Sequence, residues 1–200
     1  MKRFLIFALA QTILAAGVVS CAYTPANQDG FNYSERKNYL QHLDGWSLRG
    51  RIAVDTGQQA FQGGFQWQQS MDSIDLAIRG PLGTGLLQIA GSASQLIVHA
   101  RGETWELNDP ETELSELLGW WLPVESFSSW LLGYPDPEFA AETMVGPDNA
   151  LRSLIQRNWN LRYESYQLAG GVILPQRINL AYQDLELRVI IDRWQRSSDE

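Results

Sequence analysis

From Trp46 onward apolar and polar residues alternate almost one for one, and few architectures accommodate that pattern. In WSLRGRIAV, Trp46, Leu48, Gly50, Ile52 and Val54 fall on one side, with Ser47, Arg49 and Arg51 on the other. AFQGGFQWQ repeats the arrangement, with Phe61, Gly63, Phe65 and Trp67 set against Gln62, Gly64, Gln66 and Gln68. Ile74, Leu76 and Ile78 continue it, followed by Leu87 and Ile89, then Leu96 and Val98. Successive side chains of a strand point to opposite faces, so period two predicts strands with one apolar and one wetted face. Short strands of this kind separated by turn residues form an antiparallel sheet. NWNLRYESYQ, RINLAYQ and LELRVIIDRW add closing strands. About ten such strands with a single apolar face roll into a barrel or half-barrel.

One stretch breaks the pattern. In NDPETELSELLGWWLPVESFSSWLLGYPDP, Asp109 is placed to cap a helix with Pro110 at its first position and Glu111 and Glu113 in its first turn. Leu114, Leu117 and Leu118 give that helix an apolar face that ends at Gly119. Pro123 opens a second helix carrying Val124, Phe127, Trp130 and Leu131, stopped by Gly133 and Pro135. An insertion this apolar is unsuited to water and is expected to sit on the concave side of the sheet as a plug or lid. Ahead of the strands, Ser34–Leu43 reads as a short amphipathic helix with Ser34 as its cap. The predicted fold is therefore mainly β: a single strongly curved antiparallel sheet, an unclosed β-barrel, with a helical lid.

The amino terminus is a targeting segment. Lys2 and Arg3 precede the apolar run Phe4–Val19, which Gln11 interrupts and which is short for a membrane span. It ends Val18-Val19-Ser20-Cys21, at the only cysteine of the chain. This arrangement resembles a bacterial lipobox, in which the signal is cut and the cysteine acylated. Val18 stands where leucine is usual. Acylation also disposes of a lone thiol in an oxidising compartment. The expected organisation is a signal at 1–20, acylated Cys21 and tether at 21–33, and one domain at 34–200. Without the signal, 13 basic residues face 23 acidic ones, a net of −10. That balance argues against nucleic acid, and against attraction to anionic lipid, as the driving force for a partner. Ala22 rather than Asp after the cysteine favours sorting to the outer membrane.

Gly80, Pro81 and Gly83 are turn residues, yet the tip they frame is Leu82, where a solvated polar side chain is normal. Either the leucine folds back over its strands or it protrudes to meet something apolar. At this point the sequence resembles a known family, the outer-membrane lipoprotein receptors of the LolB type. The lipobox cysteine, LDGWSLRGRIAV with FQWQQ after it, GPLG, and WWLPVESFSSWLLGYP carry the likeness in that order over most of the mature chain. The resemblance implies an unclosed barrel and lid around a hydrophobic cavity. It also implies a receptor that accepts lipoproteins from a LolA-like periplasmic carrier and inserts them into the outer membrane. In such proteins a leucine protruding between strands is needed for the last step, and Leu82 occupies the matching position.

Acyl chains of about 16 carbons, at roughly 0.8 kcal/mol per buried CH₂, do not cross water unaided, so a receptor must offer them a dry surface. Trp46, Phe65, Trp67, Leu76 and Ile78 on the sheet and Trp120, Trp121, Leu122, Phe127, Trp130 and Leu131 on the insertion are the candidates for lining it. The residues themselves leave open a solid core made of the same side chains. One leucine in lipid supplies only about 1.5–3 kcal/mol. Leu82 is therefore suited to delivery, and Cys21 to anchoring. Arg49 and Arg51 either solvate a strand face or meet a linker carbonyl or an acidic carrier surface. His42 and His99 lie in different elements, and no HExxH, GxSxG, GxxxxGK[ST] or GxGxxG sequence occurs. No metal, cofactor or catalysis is expected, and the protein is expected to act as a monomer. The competing function is an outer-membrane lipoprotein enzyme or a cell-wall carbohydrate-binding module, with Trp120 and Trp121 stacking on sugars.

Overall fold

The alternation resolves into one sheet. The computed structural model describes residues 30–80, 85–92 and 94–196. Helix α1 (Tyr33–Gln41) precedes strands β1 (Gly45–Asp55), β2 (Ala60–Ser70), β3 (Ser73–Arg79), β4 (Gly85–Ser92), β5 (Gln95–Ala100) and β6 (Glu103–Leu107). Helices α2 (Pro110–Leu118) and α3 (Val124–Leu132) follow. The chain closes with β7 (Ala141–Val145), β8 (Leu151–Gln156), β9 (Trp159–Ala169), β10 (Val172–Tyr182) and β11 (Leu185–Arg196).

All eleven strands form one sheet in the order β6-β5-β4-β3-β2-β1-β11-β10-β9-β8-β7, each neighbour antiparallel. The first and last strands pair at its centre, so its two edges are β6 and β7. The segment joining those edges is the one that carries α2 and α3. The barrel is thus left unclosed at the seam the helical insertion spans, in keeping with the sequence-based expectation. Curvature has a local cause. A Cβ at Gly50 would lie 2.1 Å from the carbonyl oxygen of Ile190, and one at Gly63 would lie 2.3 Å from that of Arg79. Both glycines stand on the inward phase of their strands, where only a missing side chain allows backbones to approach so closely. The register between β1 and β11 also slips by one residue between Arg49 and Gly50, and such bulges bend a strand further.

Three local expectations need correction. The cap of α1 is Asn32, not Ser34: Asn32 Oδ1 accepts from the Glu35 amide (3.0 Å) and Glu35 Oε2 accepts from the Asn32 amide (2.9 Å). Ser34 lies inside the helix, because Glu35 three residues after Asn32 completes a reciprocal pair. Asp109 holds the cap position of α2 without a side-chain bond. Glu113 Oε2 accepts the Asn108 amide instead (2.8 Å). Strands β6, β7 and β8 were not among those the alternation singled out. All five residues of β7 are exposed, so as an edge strand it has no apolar phase to reveal it.

The inward face of the sheet is the core. Phe65, Trp67, Ile89, Val98, Trp159 and Val189 are at most 1% exposed. Phe61, on the same phase as Phe65, is 40% exposed. It stands opposite Val54 at the start of β2, and alternation alone does not show where cover begins.

Candidate functional site

Helix α3 seats its apolar face on the inner side of the sheet. Val124, Phe127, Trp130 and Leu131 are buried at spacings of three and four residues along one stripe, and Leu132 is buried beside them. Under them runs an aromatic series. Trp46 of β1 stacks on Trp67 of β2 with ring centres 6.1 Å apart, and Phe127 of α3 lies 6.0 Å from the same Trp67. Phe65 meets Trp67 edge-on at 6.4 Å, and Trp130 lies 6.0 Å from Trp159 of β9. Each such contact adds roughly 0.5–1.5 kcal/mol beyond area burial. Leu76 and Ile78 of β3 belong to the same cluster.

The sequence-predicted lining residues therefore come together on one surface, with two exposure classes. Trp46, Phe65, Trp67, Leu76, Ile78, Leu122, Phe127, Trp130 and Leu131 are buried, whereas Trp120 and Trp121 are only partly covered. Trp121 rests against Tyr182 with ring centres 5.3 Å apart. In this conformation the side chains of α3 occupy the concave side themselves, so room for hydrocarbon there depends on α3 moving out. Two surface hollows of about 340 and 550 Å³ lie elsewhere, one beside the β5–β6 turn and one against α1, and none of the predicted lining residues except Ile78 borders them. Gly80 is buried at the end of β3, while Cys21, Pro81, Leu82 and Gly83 lie outside the described residues.

Sequence reasoning missed what fastens the insertion. Gln156, 1% exposed on β8, spends its whole amide on it. Its Oε1 accepts from Trp130 Nε1 (2.7 Å) and the Asp136 amide (2.9 Å), and its Nε2 donates to the carbonyls of Asp136 and Phe139 (both 2.8 Å). Asp136 Oδ2 in turn accepts from Ser126 Oγ (2.6 Å). Next in sequence, Arg157 stands in a two-residue turn with Asn158, both at positive φ (52° and 63°), the backbone of a tight hairpin. Its guanidinium donates to both carboxylate oxygens of Glu111 on α2 (2.8 and 2.6 Å) and to Ser126 Oγ on α3 (3.2 Å). It also lies over the rings of Phe139 (4.1 Å) and Trp121 (4.9 Å). One hairpin thus holds α2, α3 and the return segment together. Because the alternation does not single out β8, no sequence signal marked Gln156 as inward.

Two titratable groups record this packing. Burial pushes the Tyr163 phenol well above its ordinary value, so it stays a neutral donor to the Trp130 carbonyl (2.9 Å). The Glu125 carboxyl is raised, first by desolvation and then by Glu111, against a lowering by Arg157. Trp159 is fully buried and its indole N–H has no hydrogen-bond partner among the described residues. Buried polar groups of that kind are rare.

Comparison with known proteins gives a consistent result. A family model described as outer membrane lipoprotein LolB matches residues 44–194. The outer-membrane lipoprotein LolB of Pseudomonas syringae pv. syringae is 30% identical over 197 residues, covering 98% of this chain and 96% of that protein. The protein of the same name from Pseudomonas fluorescens is 35% identical over 159 residues, 79% of this chain and 78% of its own. Among solved structures, a LolA-superfamily protein from Nitrosomonas europaea superposes with a TM-score of 0.52 at 8% identity, covering 84% of this chain and 90% of that one. A DUF1329-family protein from Desulfovibrio piger gives 0.56 at 6% identity, covering 84% and 92%. At such identities the two structures speak for the fold alone.

Proposed function

This chain belongs to the LolB family of outer-membrane lipoproteins, and from that premise we propose how its parts divide the work of a lipoprotein receptor. Residues 1–20 are a signal, Cys21 carries the lipid, 21–33 form the tether and 34–200 the receiving domain. A LolA-like periplasmic carrier delivers acylated cargo, and the domain acts as a monomer at the periplasmic face of the outer membrane. Acyl chains take the place of α3 on the inner face of the sheet, against Trp46, Phe65, Trp67, Leu76 and Ile78. Trp120, Trp121, Phe127, Trp130 and Leu131 ride with the insertion and cover the load.

The observation that supports this reading is the seat of Phe127 on Trp67. A flat aromatic contact there is exchangeable for an alkyl contact of similar area, so the net free energy of exchange is small and no nucleotide is needed. The buried indole N–H of Trp159 offers a donor to an ester carbonyl of the load. Leu82, framed by Gly80, Pro81 and Gly83, acts at the final step by disturbing lipid packing.

Transfer from purified loaded carrier to liposomes tests this. The Leu82→Glu protein, still anchored, is expected to accept cargo and fail to release it to the membrane. Normal delivery by that variant removes the role given to Leu82. A Cys21→Ala protein made with a cleavable secretory signal is expected to take up cargo in solution. If it takes up none, the domain is not a self-contained acceptor.

A further inference from the structure

The outer face of the sheet gathers arginines. Arg79, Gly64, Arg51, Ile190 and Arg177 lie in one lateral row across β3, β2, β1, β11 and β10. In a neighbouring row Arg188 and Arg162 flank Asn179. On the other side Arg49 of β1 stands directly opposite Arg193 of β11. All seven are exposed, in a chain whose net charge is −8. Asp192 and Glu164 are the carboxylates among them, and each already faces an arginine: Asp192 takes Arg51 (2.8 Å) and Glu164 lies 4.0 Å from Arg177. Asp55 and Glu186 sit further along the same strands, and Asp75 lies two strands from β1.

We propose that this outer face is a docking surface for the anionic phosphate head groups of a lipid leaflet, on which the anchored protein lies along its side. Three observations carry the choice of occupant. Like charges directly opposite on neighbouring strands oppose pairing, and no carboxylate meets Arg49 or Arg193 among the described residues, so an external anion between them relieves the repulsion. The cations are all arginine, whose planar fork matches phosphate oxygens; the only lysine beyond the signal is Lys37, on α1.

The third observation is position. The tether enters at the amino end of α1, a nine-residue helix whose last residue, Gln41, is separated from the start of β1 by three residues. Arg79, the last residue of β3 before the segment that holds Leu82, is level with Arg51, about 17 Å along β1 from Trp46. A body standing on either end brings only one of these features to the leaflet. Lying on the arginine face brings both there and turns the insertion to the periplasm. The proposal rests on the lipid anchor of the function above, but not on cargo transfer.

Cys21 is the only native cysteine and is consumed by acylation, so an introduced thiol takes a fluorescent label alone. Gln62→Cys lies on the outer face and Glu116→Cys on α2, both exposed. The full-length acylated variants are reconstituted into vesicles of phosphatidylethanolamine and phosphatidylglycerol (about 3:1) carrying a headgroup quencher, and into phosphatidylcholine vesicles with the same quencher. The expected result is strong quenching at position 62 and little at 116 in the anionic vesicles. Combining Arg49→Gln, Arg188→Gln and Arg193→Gln removes the contrast, as does about 0.5 M salt. Each arginine is expected to change the ratio of docked to detached protein about five-fold at low salt. Equal quenching at both positions, or an unchanged contrast in the triple variant, overturns the proposal. So does protection of position 62 that appears only when the soluble carrier is added, which assigns the face to an acidic protein. Lost cargo transfer with the contrast intact sinks the transfer reading and leaves this one standing.

Discussion

The insertion side and the outer face of the sheet are built on opposite principles. Between Gly102 and Leu151 the sequence has eleven acidic residues and no lysine or arginine, and the cations that contact it come from outside: Arg157 of the β8–β9 turn on Glu111 and Phe139, Arg152 on Asp148, and Arg36 on the Asn149 carbonyl. The outer face carries seven arginines against, on the same strands, the five carboxylates of Asp55, Asp75, Glu164, Glu186 and Asp192. The insertion is held by buried contacts of high local consequence: aromatic stacking, a fully used glutamine and a partly buried ion pair. The arginines make solvated contacts that contribute little to folding. Charge that does little for the fold is free to face a partner, whereas the insertion's polar groups determine whether the lid is shut.

The sharpest way to break this comparison is Trp130→Ala. It removes a 1%-exposed ring and the bond to Gln156, and costs about 3–5 kcal/mol in urea melts. Hydrogen exchange is expected to rise over residues 110–139 and stay slow in β1, β10 and β11. If sheet and insertion open together, the insertion is not a separable lid. Gln156→Leu is expected to cost about 2–3 kcal/mol, because it strands the Trp130 donor and backbone groups of Asp136 and Phe139. An unchanged midpoint in urea would show that water replaces the amide.

Smaller effects sharpen the contrast. Arg49→Gln, on the other face, is expected to raise stability by a few tenths of a kcal/mol at low salt, as the opposed Arg193 loses its like-charged neighbour. A loss in thermal melts would mean that the pair is already compensated. Glu125→Gln is expected to stabilise by a similarly small amount at pH 7. Its carboxyl is raised in the fold, so the protonated form is the favoured one, and its contribution is lost as pH rises through that raised value. Melts below pH 4 should therefore show variant and parent alike, and a gap that persists there excludes the carboxylate as its cause.

Much of this was legible in the chain. The strands β1 to β3 announced themselves through alternation, and the inward residues Trp46, Phe65 and Trp67 are buried as their phase requires. Helices α2 and α3 end at Gly119 and Gly133 as punctuation predicts. Strand β7 was not legible, since every residue of it is exposed and its place is set by pairing with β8. Gln156 and Arg157 look like ordinary polar residues until β8 and β9 bring them beneath an insertion some 20–46 positions away in sequence.

The fold class, the apolar face and the helical insertion could be read from the chain alone, because periodicity and turn chemistry are local and each residue states its own phase. Only the tertiary structure decided that β1 pairs with β11, that the seam is spanned by helices, and that Arg49, Arg193 and their neighbours form one surface. Those facts depend on register between strands far apart in the chain. Register is fixed by the joint packing of both faces rather than by any one segment.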